Sequence, residues 1–442
     1  MNHRVTRRQF VGSSLAAGAM ASGYFIHPSA AQESNSPNEK LNLAIVGCGN
    51  KGWHNVQELK SQNMVALCDV DSNYLDRAAQ AYPDATRHRD FRQMMDQRSN
   101  QIDAVVVSTA DHTHAPATAL ALAMGKHVYC EKPLTHTVDE ARIIADMARQ
   151  AGVATQMGIQ IHAGNNYRRV VEIIQSGAIG KVSEVYCWCN KAWAGGKFTA
   201  SATPSPPNLD WDLWLGPAPE RPYSPSIHPG NWRRFWEYGT GTFGDMACHI
   251  VDLPFWALGL GFPHHVTCEG PPVDPDGAPQ WVKATYDFTL EDGSPLKLHW
   301  SDGGAHFPPP ESLLDRHDRP LSRWGLGILF VGEEGSLAAD YGQHLLYPTE
   351  KFADFVPPKK TIPDSIGHWN EWVQACKTGS PTTCNFDYSG ALTETVLLGV
   401  VAYRSGVALE WDAANLTAKN ASEADRYVRK QNRRGWELAS HS

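Results

Sequence analysis

Asp245, His249 and Asp252 stand at positions i, i+4 and i+7. On an α-helix that spacing turns two carboxylates and an imidazole to the same side. The helical pattern runs from Asp245 to Leu258, and Met246, Ile250, Val251 and Phe255 flank the stripe. A polar stripe among such neighbours is expected to line a cavity. With an ordinary pKa of about 6.5, an imidazole there can take a proton from a hydroxyl near neutral pH. A second reactive residue, Lys132, follows the apolar run 127–130 within Glu131-Lys132-Pro133. A partly buried lysine beside a cationic ring loses proton affinity and can hydrogen-bond or help deprotonate a hydroxyl.

The elements that must position these groups follow from periodicity. Residues 41–160 alternate short apolar runs with helical patterns. Strands are expected at Leu41–Val46, Met64–Cys68, Ile102–Val107, His127–Tyr129 and Val153–Met157, with helices over 53–60, 72–82, 115–124 and 137–150. This alternation indicates parallel βαβ units. The first turn is Gly47-Cys48-Gly49-Asn50-Lys51-Gly52, placed directly after a strand and before a helix. In that context Gly47 permits the tight turn, Gly49 lets a pyrophosphate approach the backbone, and Gly52 allows close helix packing. Asn50 and Lys51 fall within the same turn. Asp69 ends the second strand, 20 residues after Gly49, where an acid binds the adenosine ribose hydroxyls. A carboxylate repels a 2′-phosphate there, so NAD is expected rather than NADP.

Three further motifs close successive strands: Ser108-Thr109-Ala110-Asp111-His112-Thr113-His114, Glu131-Lys132-Pro133 and Gly158-Ile159-Gln160. With the glycine turn, they resemble the glucose–fructose oxidoreductase / inositol dehydrogenase / MocA (Gfo/Idh/MocA) family over nearly the whole chain after residue 31. The resemblance implies an α/β Rossmann domain with a doubly wound parallel sheet, over residues 40–160. It also implies an α+β domain, residues 161–442, with a large open antiparallel sheet for substrate binding and oligomerisation. The implied activity is hydride transfer at a carbinol of a sugar, polyol or glycoside. By the same resemblance His249 is the general acid/base, Asp245 orients its ring or binds a neighbouring hydroxyl, and Lys132 completes the triad. Ser108, Thr109, Glu131 and Gln160 are expected at the cofactor, with His112 and His114 on its nicotinamide side. His112-x-His114 also has metal-ligand spacing, but no third ligand signature stands nearby and no metal is expected.

Beyond residue 160, strand-like patterns at Lys181–Lys191, Trp281–Leu290, Pro295–Trp300 and Gly327–Val331 suggest an antiparallel sheet. A helix over 164–176 links the halves. Residues 201–231 hold eight prolines, too many for a helix or central strand, and read as an ordered loop or lid; Phe307–Pro320 is similar. Seven of the 15 tryptophans lie between Trp188 and Trp256. Sugars present apolar C–H faces beside hydroxyls, so Trp232, Arg233, Trp236 and Asp252 are expected to touch substrate, with His162 facing the same cleft.

With 39 Lys and Arg against 47 Asp and Glu, the net charge is −8. A nucleic-acid partner is therefore not expected. No apolar run approaches the length of a membrane span, so stable membrane insertion is not expected either. Thr6-Arg7-Arg8-Gln9-Phe10, a weakly apolar stretch to Ile26 and Ser29-Ala30-Ala31 read as a twin-arginine export signal over residues 1–31. This predicts a periplasmic or otherwise exported protein. Nine cysteines without a Cys-x-x-Cys pair read as buried thiols. Free NAD is scarce outside the cytoplasm, so the cofactor is expected to stay bound. That condition is met by a sugar or polyol oxidoreductase, or by a redox-neutral glycosidase or lyase working through a keto-sugar; a non-catalytic sugar-binding protein is a third class. The partner is a small carbohydrate or polyol, and the resemblance implies a homo-oligomer, a dimer or tetramer.

Overall fold

The parallel strands begin with β1 (Asn42–Val46), β2 (Asn63–Cys68), β3 (Thr86–His88), β4 (Ala104–Val107), β5 (His127–Glu131) and β6 (Thr155–Gly158). They form one sheet in the order β3-β2-β1-β4-β5-β6. In the computed structural model the described residues are 39–201, 203–305 and 313–438; the expected leader lies outside them. All four residues of β4 (Ala104–Val107) are buried, as a strand covered by helices on both faces requires. The order reverses at β1, which pairs with both β2 and β4. The crevice beyond the carboxyl ends of such neighbouring strands is where ligands bind in doubly wound sheets. The first helix, Asn50–Glu58, starts directly after Gly49, three residues earlier than periodicity suggests. Its free N–H groups therefore open onto the glycine turn.

The second sheet contains β7 (Val182–Cys189), β8 (His265–Glu269), β9 (Lys283–Thr289), β10 (Pro295–Ser301), β11 (Leu326–Gly332), β12 (Ser336–Ala339), β13 (His344–Tyr347), β14 (Leu409–Asp412) and β15 (Thr417–Ala418). Its order is β13-β12-β11-β7-β10-β9-β8-β14-β15. All its pairings are antiparallel except β7 with β10. The expected large antiparallel sheet is present, with this one parallel pairing in it. The long excursion between β7 and β8, which carries the site segments, lets the chain re-enter the sheet so that β10 runs alongside β7 in the same direction.

Two local expectations need correction. The proline-rich segment contains one helical turn, Trp211–Leu215, between Pro207 and Pro217; Asp210 caps it by accepting from Leu213 N at 3.1 Å. The segment packs through Leu209, Trp214, Leu215 and Ile227 onto Phe235 and Tyr238. The expected helix over 245–258 is broken. A π-helical turn spans Phe243–Ala247, followed by short α segments at Cys248–Ile250 and Asp252–Ala257.

The last third of the chain returns to the first sheet. Trp372, on the helix His368–Thr378, is fully buried among Leu43, Ile45 and Tyr129. The helix Phe386–Ser405 packs on Val138–Ala151, where Arg142 holds buried Glu394 bidentately, Nη2 donating to Oε1 at 3.0 Å and Nε to Oε2 at 3.2 Å. Burial still lifts the Glu394 carboxyl to about 7. All nine cysteines are free, seven of them buried. Among the described residues no helix is long and apolar enough to cross a membrane. Because Trp372 inserts a late helix into the core of the first sheet, Trp372→Ala is expected to lose about 3–5 kcal/mol of stability. Urea unfolding followed by circular dichroism measures this, and a loss under about 1 kcal/mol would contradict it.

Candidate functional site

The glycine turn is built by close approaches. Gly47 has φ +91°, and a Cβ there would lie 2.6 Å from the Ser108 carbonyl oxygen. Gly52 packs so tightly under Gly47 that any side chain would strike its carbonyl. These contacts clamp the turn against β4 and leave a cavity of about 540 Å³ along the carboxyl ends of the strands. At one end Asp69 accepts from Cys48 N at 2.7 Å and Asp71 N at 2.9 Å. Burial pushes its carboxyl up to about 6, against the lowering effect of those N–H groups. Tyr74 and Phe91 flank this end and Trp214 and His228 line the cavity beyond; none of them stood out in the sequence.

Deeper in the cleft, Glu131 is fixed by Asn55 Nδ2 at 2.9 Å and Gln160 Nε2 at 3.1 Å. Lys51 lies 3.9 Å away, and a Cβ on Gly158 would collide with the carboxylate. The next residue, Lys132, is buried and its Nζ donates to Asp245 Oδ1 at 2.6 Å and to Asp245 O at 2.7 Å. The Lys132–Pro133 peptide bond is cis. Gly244 lets this loop close on the π-helical turn, since a Cβ there would meet Pro133 Cγ at 2.9 Å. This ion pair is thus one of those that join the front and back halves of the chain.

Asp245 has more partners than the sequence suggested. Arg233 Nε reaches Oδ1 at 3.0 Å, while Lys191 Nζ and Trp193 Nε1 both reach Oδ2 at 2.6 Å. Burial alone would raise the Asp245 carboxyl, but Lys132, Arg233 and Lys191 outweigh it and hold it far below the usual carboxylate range. Arg233 also binds Asp111 at 2.9 Å, and Thr240 donates to the same carboxylate at 3.0 Å. Lys191 and Trp193 follow the end of β7 (Val182–Cys189). Only the three-dimensional pairing brings them to the π turn, so spacing could not have flagged them. For Lys132, burial and the nearby Arg233 guanidinium lower the proton affinity against the support of Asp245.

His249 lines the same cavity. Among the described residues, no protein group hydrogen-bonds its ring; only its carbonyl is used, by Tyr167 OH at 3.1 Å. Asp245 is engaged with cations rather than with this imidazole. Burial first, then Lys132, lowers the His249 pKa well below the ordinary value. Both effects favour the neutral ring, the form that can accept a proton.

Asn50, Lys51, Ser108, Thr109, His112, His114 and Gln160 also line the cavity, as do Trp232 and Arg233. His112 Nε2 donates to Trp214 O at 3.0 Å, and burial takes its pKa to about 3. The His114 ring lies between the carbonyl oxygens of Pro133 and Thr109. Among the described residues no group of three or more His, Cys, Asp or Glu could hold a metal.

Three residues expected at substrate lie elsewhere. The π turn shifts the helical register, so Asp252 leaves the face shared by Asp245 and His249. It is fully buried and bound by His162 Nδ1 at 2.9 Å and Tyr388 OH at 2.7 Å. That pairing draws His162 into the core as well, where it stacks on Trp256. Trp236 donates to Asp274 O at 3.1 Å and borders a different cavity.

Residues 41–159 match the NAD-binding Rossmann-fold model of the Gfo/Idh/MocA oxidoreductase family, and residues 164–306 match its C-terminal α/β model. Inositol 2-dehydrogenase of Klebsiella pneumoniae subsp. pneumoniae is 30% identical over 166 residues, 36% of this chain and 48% of that protein. The α-N-acetylgalactosaminidase of Shewanella oneidensis is 23% identical over 207 residues, 41% of this chain and 45% of that protein. The chain thus spans about half the length of the curated relatives it matches. Its fold is shared with GenD2 from gentamicin A biosynthesis, solved in complex with NAD: TM-score 0.59, 20% identity, covering 88% of this chain and all of that one. The glycine turn, the parallel sheet and both matched segments agree, and the chain belongs to the Gfo/Idh/MocA family of NAD-binding oxidoreductases.

Proposed function

We propose that this protein oxidises a secondary hydroxyl of a sugar, polyol or glycoside, with His249 as the proton acceptor. The observation that carries this reading is the His249 ring, which lines the cavity with the Lys132–Asp245 pair and has no protein hydrogen-bond partner among the described residues. The residues present suit NAD: side-chain-free approaches at Gly47 and Gly52, helix N–H groups facing the turn, and Asp69 at the far end. Bound there, NAD would accept the hydride from the carbinol carbon. Lys132 donates to the substrate oxygen as its proton passes to His249. Asp245 acts through Lys132, holding its ammonium group at the hydroxyl rather than touching the imidazole. Trp232 and Arg233 form the substrate side of the cleft, and the sugar or polyol class rests on the family and on this mix of ring and charge.

A second reading rests on the likeness to the α-N-acetylgalactosaminidase. Oxidation of a glycoside hydroxyl acidifies the neighbouring C–H, the aglycone is eliminated, water adds, and the hydride returns to the sugar. A panel of aldoses, inositols and aryl glycosides separates the two. Net oxidation raises absorbance at 340 nm; glycoside cleavage releases aglycone without that change. His249→Ala is expected to lower either turnover by 10²–10⁴-fold while leaving NAD affinity within a few-fold. A variant retaining more than a tenth of the wild-type rate would remove His249 from the mechanism.

The export signal proposed for residues 1–31 gives cofactor retention a rationale. Mass spectrometry of the denatured purified protein is expected to find close to one NAD per chain. Empty protein that takes NAD up only weakly would defeat retention without touching the reaction.

A further inference from the structure

A second cavity, of about 400 Å³, lies behind the loop that carries His112, and that residue borders both spaces. One wall comes from the end of the long helix Phe386–Ser405 and the other from residues 426–431. Four cationic side chains line it: Arg404, Arg426, Arg429 and Lys430. The sole carboxylate among its lining residues is Glu237, whose Oε1 is taken by Arg221 at 2.7 Å. Lys430 is paired with Glu140 at 2.8 Å, and Arg429 donates to Leu416 O at 3.0 Å.

Arg404 and Arg426 are different. Both guanidinium groups lie against the same ring, Tyr427, at 4.4 and 4.7 Å from its centroid. Arg404 also lies 5.2 Å from the Trp236 ring. Neither has a hydrogen-bonded or ion-paired acceptor among the described residues; Glu237, already held by Arg221, supports Arg404 only through space. Stacking satisfies the faces of a guanidinium but leaves its N–H fork unused. Two like charges sharing one ring repel, and partial removal from water strengthens that repulsion. Burial, with Arg426 adding to it, brings Arg404 down to about 10 against the opposing effect of Tyr427 and Glu237. His136, the other titratable group facing Lys430, is depressed by burial and by Lys430, so it adds no further positive charge at pH 7.

We infer that this cavity is a binding site for a small multivalent oxyanion, seated between the guanidinium forks of Arg404 and Arg426 with Lys430 and Arg429 at its edge. Planar N–H forks recognise phosphate and carboxylate oxygens bidentately. An anion there would neutralise the repelling pair and supply the acceptors that both forks lack. The site is separate from the hydride-transfer centre, and its failure would leave the proposed reaction intact.

The test uses the full chain saturated with NAD, so that the cofactor cavity is filled, in a buffer of low ionic strength. Calorimetry with pyrophosphate and with citrate distinguishes a phosphorylated from a polycarboxylate ligand. At least one of the two should bind saturably at one site per chain and raise Tm by several degrees. Arg404→Gln and Arg426→Gln should each weaken that binding by tenfold or more, whereas Lys181→Gln, on an exposed lysine, should not. Arg426 is exposed, so its variant keeps the test valid if Arg404→Gln folds poorly. Absence of saturable binding by both anions overturns the inference, as does binding that survives both substitutions or falls equally in Lys181→Gln.

Discussion

The contact between Lys132 and Asp245 joins the two halves of this protein, and most of the site is arranged around it. One partner leaves β5 (His127–Glu131) in the cofactor-binding half. The other sits on a π turn in the second half. A 2.6 Å approach between them requires the backbones to come close, and Gly244 makes that possible by presenting no Cβ to Pro133. A buried ion pair is weak evidence for stability in itself, because desolvation offsets its attraction. Its value here is geometric: it fixes an ammonium group at the mouth of the dinucleotide crevice.

The charge arrangement follows from the same contact. Asp245 receives three cations and an indole N–H, so it has no free lone pair aimed at His249. The imidazole then feels its own burial and Lys132 more strongly than the carboxylate, which favours its neutral form. An acid–imidazole pair four residues apart would ordinarily suggest a carboxylate supporting a charged histidine. The π turn and the added cations reverse that logic. Arg233 extends the network to Asp111 and Thr240, tying the histidine-bearing loop of the first half to the same centre.

Much of the fold was legible because its signals are local. The glycine turn, the apolar runs of β1 and β4, and Asp69 at the end of β2 all depend on neighbours in sequence. The acid–imidazole spacing was legible for Asp245 and His249, which a wider helical turn still leaves on one cavity. It failed for Asp252, because a π turn adds a residue per turn and periodicity assumes a regular α-helix. Trp236 and His162 were misplaced for a related reason: residue type indicates what a side chain can bind, not which wall it faces. Lys191 and Trp193 carried no local signal, since they reach Asp245 only through tertiary pairing. The β3 (Thr86–His88) strand and the return of Trp372 to the first sheet were equally silent, one being short and polar, the other distant in sequence.

The proposed chemistry needs an uncharged His249 imidazole next to a charged Lys132, and the protonation state of that ring can be observed directly. Nitrogen NMR of histidine-labelled protein with NAD bound, titrated from pH 5 to 8 and assigned with His249→Gln, reports the pKa of that ring. A value below 6.5 is expected, with the ring neutral throughout the physiological range. Titration above 6.5 would mean that Asp245 supports the imidazole rather than the lysine, and the proposed division of roles would be wrong.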